Sequence, residues 1–153
     1  MTERLSHSTL LHQDTLTHAY RRYGLWLCQA FLAAAFIYIG YLKFTLPIEL
    51  LGQMWGWPGQ FPPAFVRCMA IIDILGGLGV LLPVLTPLMP NSSALRLLSI
   101  LAALGCLVLQ IFAILFHFSR GEVPVLALNG ILLALAALVL LGFISKPWET
   151  SRP

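Results

Sequence analysis

The stretch AIIDILGGLGVLL, Ala70 to Leu82, holds one aspartate among residues that are otherwise apolar or glycine. A charged side chain at the centre of a bilayer costs at least ~2.5–3.5 kcal/mol on insertion scales. Asp73 therefore needs a partner, a proton or a substrate. Extended back to Pro63, the run reaches the ~20 residues that a bilayer requires. Working outward, three further runs of that length lie at 25–44, 97–118 and 123–145, beside the central one at 63–82. In lipid only helices or closed barrels satisfy every backbone group, and unbroken apolar runs mean helices. The sequence predicts an all-α fold, an integral membrane four-helix bundle over 25–145. A polar segment, 1–24, precedes it and a tail, 146–153, follows it.

Composition supports that reading. Of the 153 residues 59% are hydrophobic and only 10% charged, against about 25% charged in an ordinary soluble domain. A globule this apolar has too little polar surface to cover itself with, so part of its solvent is the lipid bilayer. The formal charge of +3 is spread along the chain and offers no nucleic-acid footprint. Cys28, Cys68 and Cys106 each sit in or beside an apolar run, with no C-x-x-C pair for thiol–disulfide chemistry.

The first 24 residues lack the short apolar core and small-residue cleavage site of a signal peptide. Residues 13–23 read as a short interfacial helix, with Leu16, Tyr20 and Tyr23 lying down and Arg21 and Arg22 reaching head groups. His7, His12 and His18 have no metal-ligand spacing. Lys and Arg counts set the orientation. With both termini cytoplasmic, Arg4, Arg21, Arg22, Arg96, Lys146 and Arg152 face inward, and Lys43, Arg67 and Arg120 face outward.

The connection between the third and fourth spans, at 119–122, is so short that these helices are antiparallel neighbours. The first outer loop, 46–63, is longer and carries Trp55, Trp57, Pro58, Phe61 and Pro62. It reads either as an aromatic belt at the interface or as an ordered cover over an outward-facing pocket.

This topology gathers polar groups in the outer half. Lys43 ends the first span and His117 ends the third, while Asp73 and Asn129 lie ~10–15 Å below the outer ends of theirs. The inner half offers little beyond Gln29 and Ser99. Cys106, Gln110, Ala113 and His117 recur at helical spacing and form one stripe. Asp73 shares a stripe with Met69, Gly76, Gly77 and Val80, whose glycines admit a neighbouring backbone, so Asp73 faces the bundle. Arg67 lies about 120° around the helix from Asp73 and is not its direct partner. On the fourth span Ala127, Gly130, Ala134 and Ala137 form a small-residue stripe that Asn129 flanks, at a tight helix contact. Lys43 also reads as a snorkelling interfacial lysine, and Arg120 and Glu122 as solvated or head-group charges.

The same residues carry a resemblance. Gly40-Tyr-Leu-Lys43 resembles the G-x-x-K of the DoxX family. Phe65-Val-Arg67 followed by Asp73-Ile-Leu-Gly76-Gly77-Leu-Gly79 is similar to its second-helix pattern, except that the acid is more usually Glu. His117, Arg120-Gly121-Glu122 and Asn129 resemble its third-to-fourth helix turn. The likeness spans roughly residues 23–142. It implies a multi-pass protein of a bacterial or archaeal cytoplasmic membrane. Some relatives are subunits of a thiosulfate:quinone oxidoreductase, and others associate with thiol-redox or stress-response complexes.

Three functions compete. One is a redox-linked subunit that binds a quinone or similar amphipathic molecule. Phe36, Tyr38, Trp55 and Phe112 would wall its pocket, Lys43 and His117 donate hydrogen bonds, Gln110 and Asn129 contribute amides, and Asp73 exchange protons as the catalytic group. The chain has no flavin, iron–sulfur or dinucleotide fingerprint, and its one intramembrane histidine excludes bis-histidine haem ligation within the chain. Electrons would come from a membrane-protein partner. The second is a non-catalytic accessory subunit of a larger complex or a homo-oligomer. The third is a small proton-coupled carrier, against which stands the lack of an inverted repeat.

Overall fold

A computed structural model describes the backbone of residues 2–85 and 93–145, and the side chains of 23–83 and 93–145. Among the described residues every regular element is helical. α1 (Thr2–Thr45) is followed by α2 (Ile48–Trp55), α3 (Pro63–Leu81), α4 (Ser93–Ser119) and α5 (Val123–Ile144). One single 3₁₀ turn, Trp57–Gln60, lies between α2 and α3, and another, Leu82–Leu85, follows α3. Four helices are long and apolar enough to cross a membrane: Tyr23–Thr45 within α1, and all of α3, α4 and α5. α1 runs unbroken for 44 residues, roughly 66 Å at 1.5 Å per residue, so the stretch read as a separate interfacial helix continues directly into the first span. How its side chains lie falls outside the described residues, as does the tail 146–153.

The four long helices form a ring in chain order. α1 packs against α3, α3 against α4, α4 against α5, and α5 closes back onto α1. The central core is Leu32, Phe36, Val80, Ala103, Cys106, Leu132, Ala136, Val139 and Phe143. Large apolar side chains such as Leu27, Phe31, Leu75, Phe118 and Leu141 face outward, each more than half exposed. That inverted surface fits a lipid solvent, in which helices associate through close packing rather than through hydrophobic burial.

Glycines set the closest approaches. A Cβ at Gly40 would lie 2.7 Å from the Ala70 carbonyl oxygen, and one at Gly77 would lie 2.9 Å from that of Ala33, so α1 and α3 touch backbone to backbone. Gly76 meets the Cys106 sulfur and Gly79 meets Ala102, which draws α3 against α4 along that half. Towards the α2 end, rings replace glycines between these two helices, and a cavity opens there.

One expectation fails on α5. The stripe Ala127, Gly130, Ala134, Ala137 does not make the tight contact: Ala127 and Ala134 are exposed and nothing lies within 4 Å of a Cβ at Gly130. The buried stripe is Leu132, Ala136, Val139 and Phe143. Apart from Asn129, α5 is apolar on every side, so hydropathy says little about which side faces in.

Candidate functional site

The cavity encloses about 350 Å³ at the α2 end of the bundle. Phe36, Ile39 and Lys43 line it from α1, at the i, i+3 and i+7 positions of one helix face. Met69 and Asp73 line it from α3, Gln110, Ala113 and His117 from α4, and Asn129 from α5. Trp57 and Phe61 close it from the α2 side. Its wall reaches the outer surface at Phe65, 44% exposed, and Phe112, 65% exposed. The cavity thus borders the lipid-facing side between α3 and α4.

The cover is a built structure. α2 starts after Pro47 and stops at Gly56, whose φ of 76° favours glycine and whose N–H donates to the Gly52 carbonyl at 2.9 Å. The chain then folds back as the 3₁₀ turn Trp57–Gln60, so that Gly52 and Gly59 pack face to face, with Leu51 and Pro58 fully buried beneath. Pro62 and Pro63 start α3, where a missing N–H does no harm.

At the cavity's centre Lys43 Nζ donates to Asp73 Oδ2 at 2.7 Å, both side chains being largely buried. The ammonium also lies 5.4 Å from the centroid of the Trp57 ring. Arg67 does not touch Asp73. Its guanidinium donates to the backbone carbonyls of Lys43 and, at 2.8 Å, Leu46, which caps the end of α1. At the rim His117 Nδ1 lies 2.5 Å from Glu122 Oε2. Glu122 Oε1 accepts from Arg120 Nε at 2.7 Å, and Arg120 Nη1 donates to Gln60 Oε1 of the cover at 2.8 Å. The hydrogen bonds from His117 and Arg120 hold the Glu122 carboxyl below its ordinary value of 4.5. Two buried polar atoms have no partner among the described residues: Gln110 Oε1, an acceptor, and Asn129 Nδ2, a donor.

The family model described as the DoxX-like family matches residues 27–139. The chain belongs to the DoxX-like family. The matched segment contains every cavity residue from Phe36 to Asn129, together with Glu122. Comparison with curated proteins and with solved structures found no match.

In this DoxX-like chain Lys43, Asp73, Gln110, His117 and Asn129 come to one cavity. Tyr38 and Trp55 are not among its lining residues. Tyr38 is 62% exposed and lies two residues from Phe36, about 200° around the helix, so both cannot face inward. The turn at Gly56 leaves Trp55 on α2 and brings Trp57 over Lys43 instead. Sequence reasoning also missed Glu122. Its place is set by the end of α4, where Gly121, φ 69°, lets Glu122 N–H reach the His117 carbonyl at 3.0 Å and Gly121 N–H reach that of Phe118 at 3.1 Å. This is the Schellman pattern, and a glycine followed three residues later by Pro124 is its sequence signal. Among the described residues no three His, Cys, Asp or Glu side chains converge on a metal position. The three cysteines are unpaired and lie apart from one another.

Proposed function

We propose that this multi-pass membrane protein binds a neutral amphipathic molecule of the quinone class in the α2-end cavity, and acts as a redox-linked subunit whose electrons come from a partner protein. The supporting observation is the pair of orphaned buried groups, Gln110 Oε1 and Asn129 Nδ2, in a cavity whose charges already cancel. A buried polar atom without a partner costs ~1–3 kcal/mol, and a ligand head with hydrogen-bonding oxygens removes that cost. Lys43 is neutralised by Asp73, and Arg120 by Glu122, which favours an uncharged ligand over an anion. The volume lies at the low end of the roughly 300–1,000 Å³ of small-molecule sites. It suits a ring head group, with the tail leaving past Phe65 and Phe112 into the bilayer. We place the protein in the cytoplasmic membrane with the cavity on the outer side, following the distribution of Lys and Arg.

The test is organic extraction of the protein purified from native membranes, with mass spectrometry for a prenyl quinone at near-equimolar amount. No such molecule in the extract, and no binding of added decylubiquinone or decylubiquinol, ends the reading. A second reading has one observation of its own. The exposed Ala127 and Ala134, with open space at Gly130 between them, offer a close seat for another helix, as an accessory subunit of a larger complex needs. Copurification of a stoichiometric membrane partner that keeps its activity when Asp73→Asn is introduced supports that role.

A further inference from the structure

His117 is 9% exposed and lines the cavity, while the Glu122 side chain, 24% exposed, stands at the rim. Arg120 holds the far side of the carboxylate and is itself fixed by Gln60. The hydrogen bonds that depress the Glu122 carboxyl keep it ionised near neutral pH. An ionised carboxylate can only accept hydrogen bonds. The hydrogen in the 2.5 Å contact therefore belongs to Nδ1 of His117. In the neutral imidazole, Nε2 then carries the lone pair, and it has no hydrogen-bond partner among the described residues. Three cavity-lining side chains thus offer unanswered groups: His117 an acceptor at Nε2, and Gln110 and Asn129 an amide each, which both donates and accepts and of which Oε1 of Gln110 and Nδ2 of Asn129 are buried without a partner.

A ring carbonyl only accepts, so it would answer an amide N–H of Asn129 or Gln110 and leave Nε2 of His117 without a donor. A hydroxyl donates its one hydrogen to Nε2 of His117 and still accepts from an amide N–H through its lone pairs. We infer that the site takes its ligand in hydroxyl form, as a phenol or hydroquinone head, and that His117, oriented by Glu122, is the group that accepts the hydroxyl proton. In that step the O–H bond breaks, its electron pair stays on oxygen, and the proton bonds to Nε2. The resulting imidazolium faces the Glu122 carboxylate, which stabilises it. No electron changes owner. Glu122 is the positioning residue, and Arg120 and Gln60 hold it. The other charged groups near His117 form closed contacts: Lys43 from α1 with Asp73 from α3, and Arg67 from α3 with the carbonyls that end α1. α5 contributes the neutral Asn129, and the cover the neutral Gln60.

The inference rests on the amphipathic-ligand reading, and its test separates the two. The full chain, labelled with ¹⁵N-histidine and held in lipid nanodiscs, gives the His117 tautomer by NMR, with His117→Gln assigning the signal. Wild type is expected to show the Nδ1–H tautomer in the neutral ring. Glu122→Gln shifts the ring towards Nε2–H, and Glu122→Asp keeps part of the wild-type population. Titration with decylubiquinol and decylubiquinone then reads the ligand form. Wild type prefers the quinol by roughly tenfold or more, the size of an unanswered buried polar group, and Glu122→Gln and His117→Gln lose the preference. An Nε2–H tautomer in wild type, or one that Glu122→Gln leaves unchanged, overturns the role of Glu122. Equal binding of both probes overturns the hydroxyl assignment. Binding of neither overturns the amphipathic-ligand reading itself, whatever the tautomer.

Discussion

The Arg67 guanidinium grips the backbone of the residue whose side chain holds Asp73. From α3 it donates to the carbonyl of Lys43, and Lys43 reaches back across to α3 with its ammonium. One helix end is thus pinned twice by the same neighbour, through its main chain and through its charge. The last carbonyls of a helix have no intrahelical donor, and here a cation from a second helix supplies it and also suits the helix dipole.

Replacing that cation is expected to free the end of α1. Arg67→Met keeps the apolar stem and removes both bonds. Hydrogen bonds to charged groups contribute ~1.5–3 kcal/mol each, so the loss should reach a few kcal/mol in a detergent unfolding titration. Arg67→Lys, which loses the forked geometry, should recover only part of it.

The ion pair between Lys43 and Asp73 should show strong coupling. Breaking one side of a buried pair leaves an uncompensated charge and costs ~3–5 kcal/mol, whereas replacing both with apolar groups is often neutral. Lys43→Met and Asp73→Leu are each expected to destabilise the bundle, and the double substitution to restore most of the loss. An additive double mutant in the same unfolding assay would show that the two groups do not depend on each other.

Glycine substitutions should divide by helix contact. Gly40→Ala and Gly77→Ala drive a methyl into a facing backbone carbonyl, and overpacking of that kind costs ~1–3 kcal/mol. Gly105→Ala and Gly130→Ala meet nothing within 4 Å and should gain up to ~1 kcal/mol from helix propensity. Thermal unfolding of the four variants ranks them.

How far the sequence could be read follows from where polarity breaks the apolar background. On α1, α3 and α4 a few polar or small residues mark the inward face, so Lys43, Asp73, Gln110 and His117 could be placed together from helical spacing alone. α5 has a single polar side chain, Asn129, within its span and no contrast between its faces, and there the small-residue stripe misled. Spacing of 100° per residue also separates Tyr38 from Phe36, a constraint that counting aromatic residues ignores. The ties between Glu122, His117, Arg120 and Gln60 cross a turn and a loop, where periodicity has nothing to say. Only the backbone geometry at Gly121 and Gly56 brings them together.

Acid should loosen the Glu122 clamp. Its carboxyl is held below its ordinary value in the folded protein. A depressed folded pKa contributes stability that is fully present above the unfolded value and is lost as pH falls through the folded one. The difference in stability between wild type and Glu122→Gln should therefore shrink as pH falls below about the ordinary carboxylate value. Melting temperatures of both proteins between neutral and strongly acidic buffer give the curve, and a difference independent of pH would contradict the clamp.

Gln110 and Asn129 should trade stability for binding. In the ligand-free protein each buries a polar atom without a partner, so an apolar residue of similar size removes a penalty of ~1–3 kcal/mol per atom. Gln110→Leu and Asn129→Leu are expected to leave the ligand-free bundle as stable as wild type or more so. If the orphaned groups exist to meet a ligand, the same substitutions should weaken decylubiquinol binding, because the ligand head loses an amide partner in each variant. A residue that served only as interhelical glue would give the opposite pattern, with stability falling and binding following it. Measuring unfolding and binding on the same two variants therefore tells a site kept polar for its occupant from one kept polar for the fold.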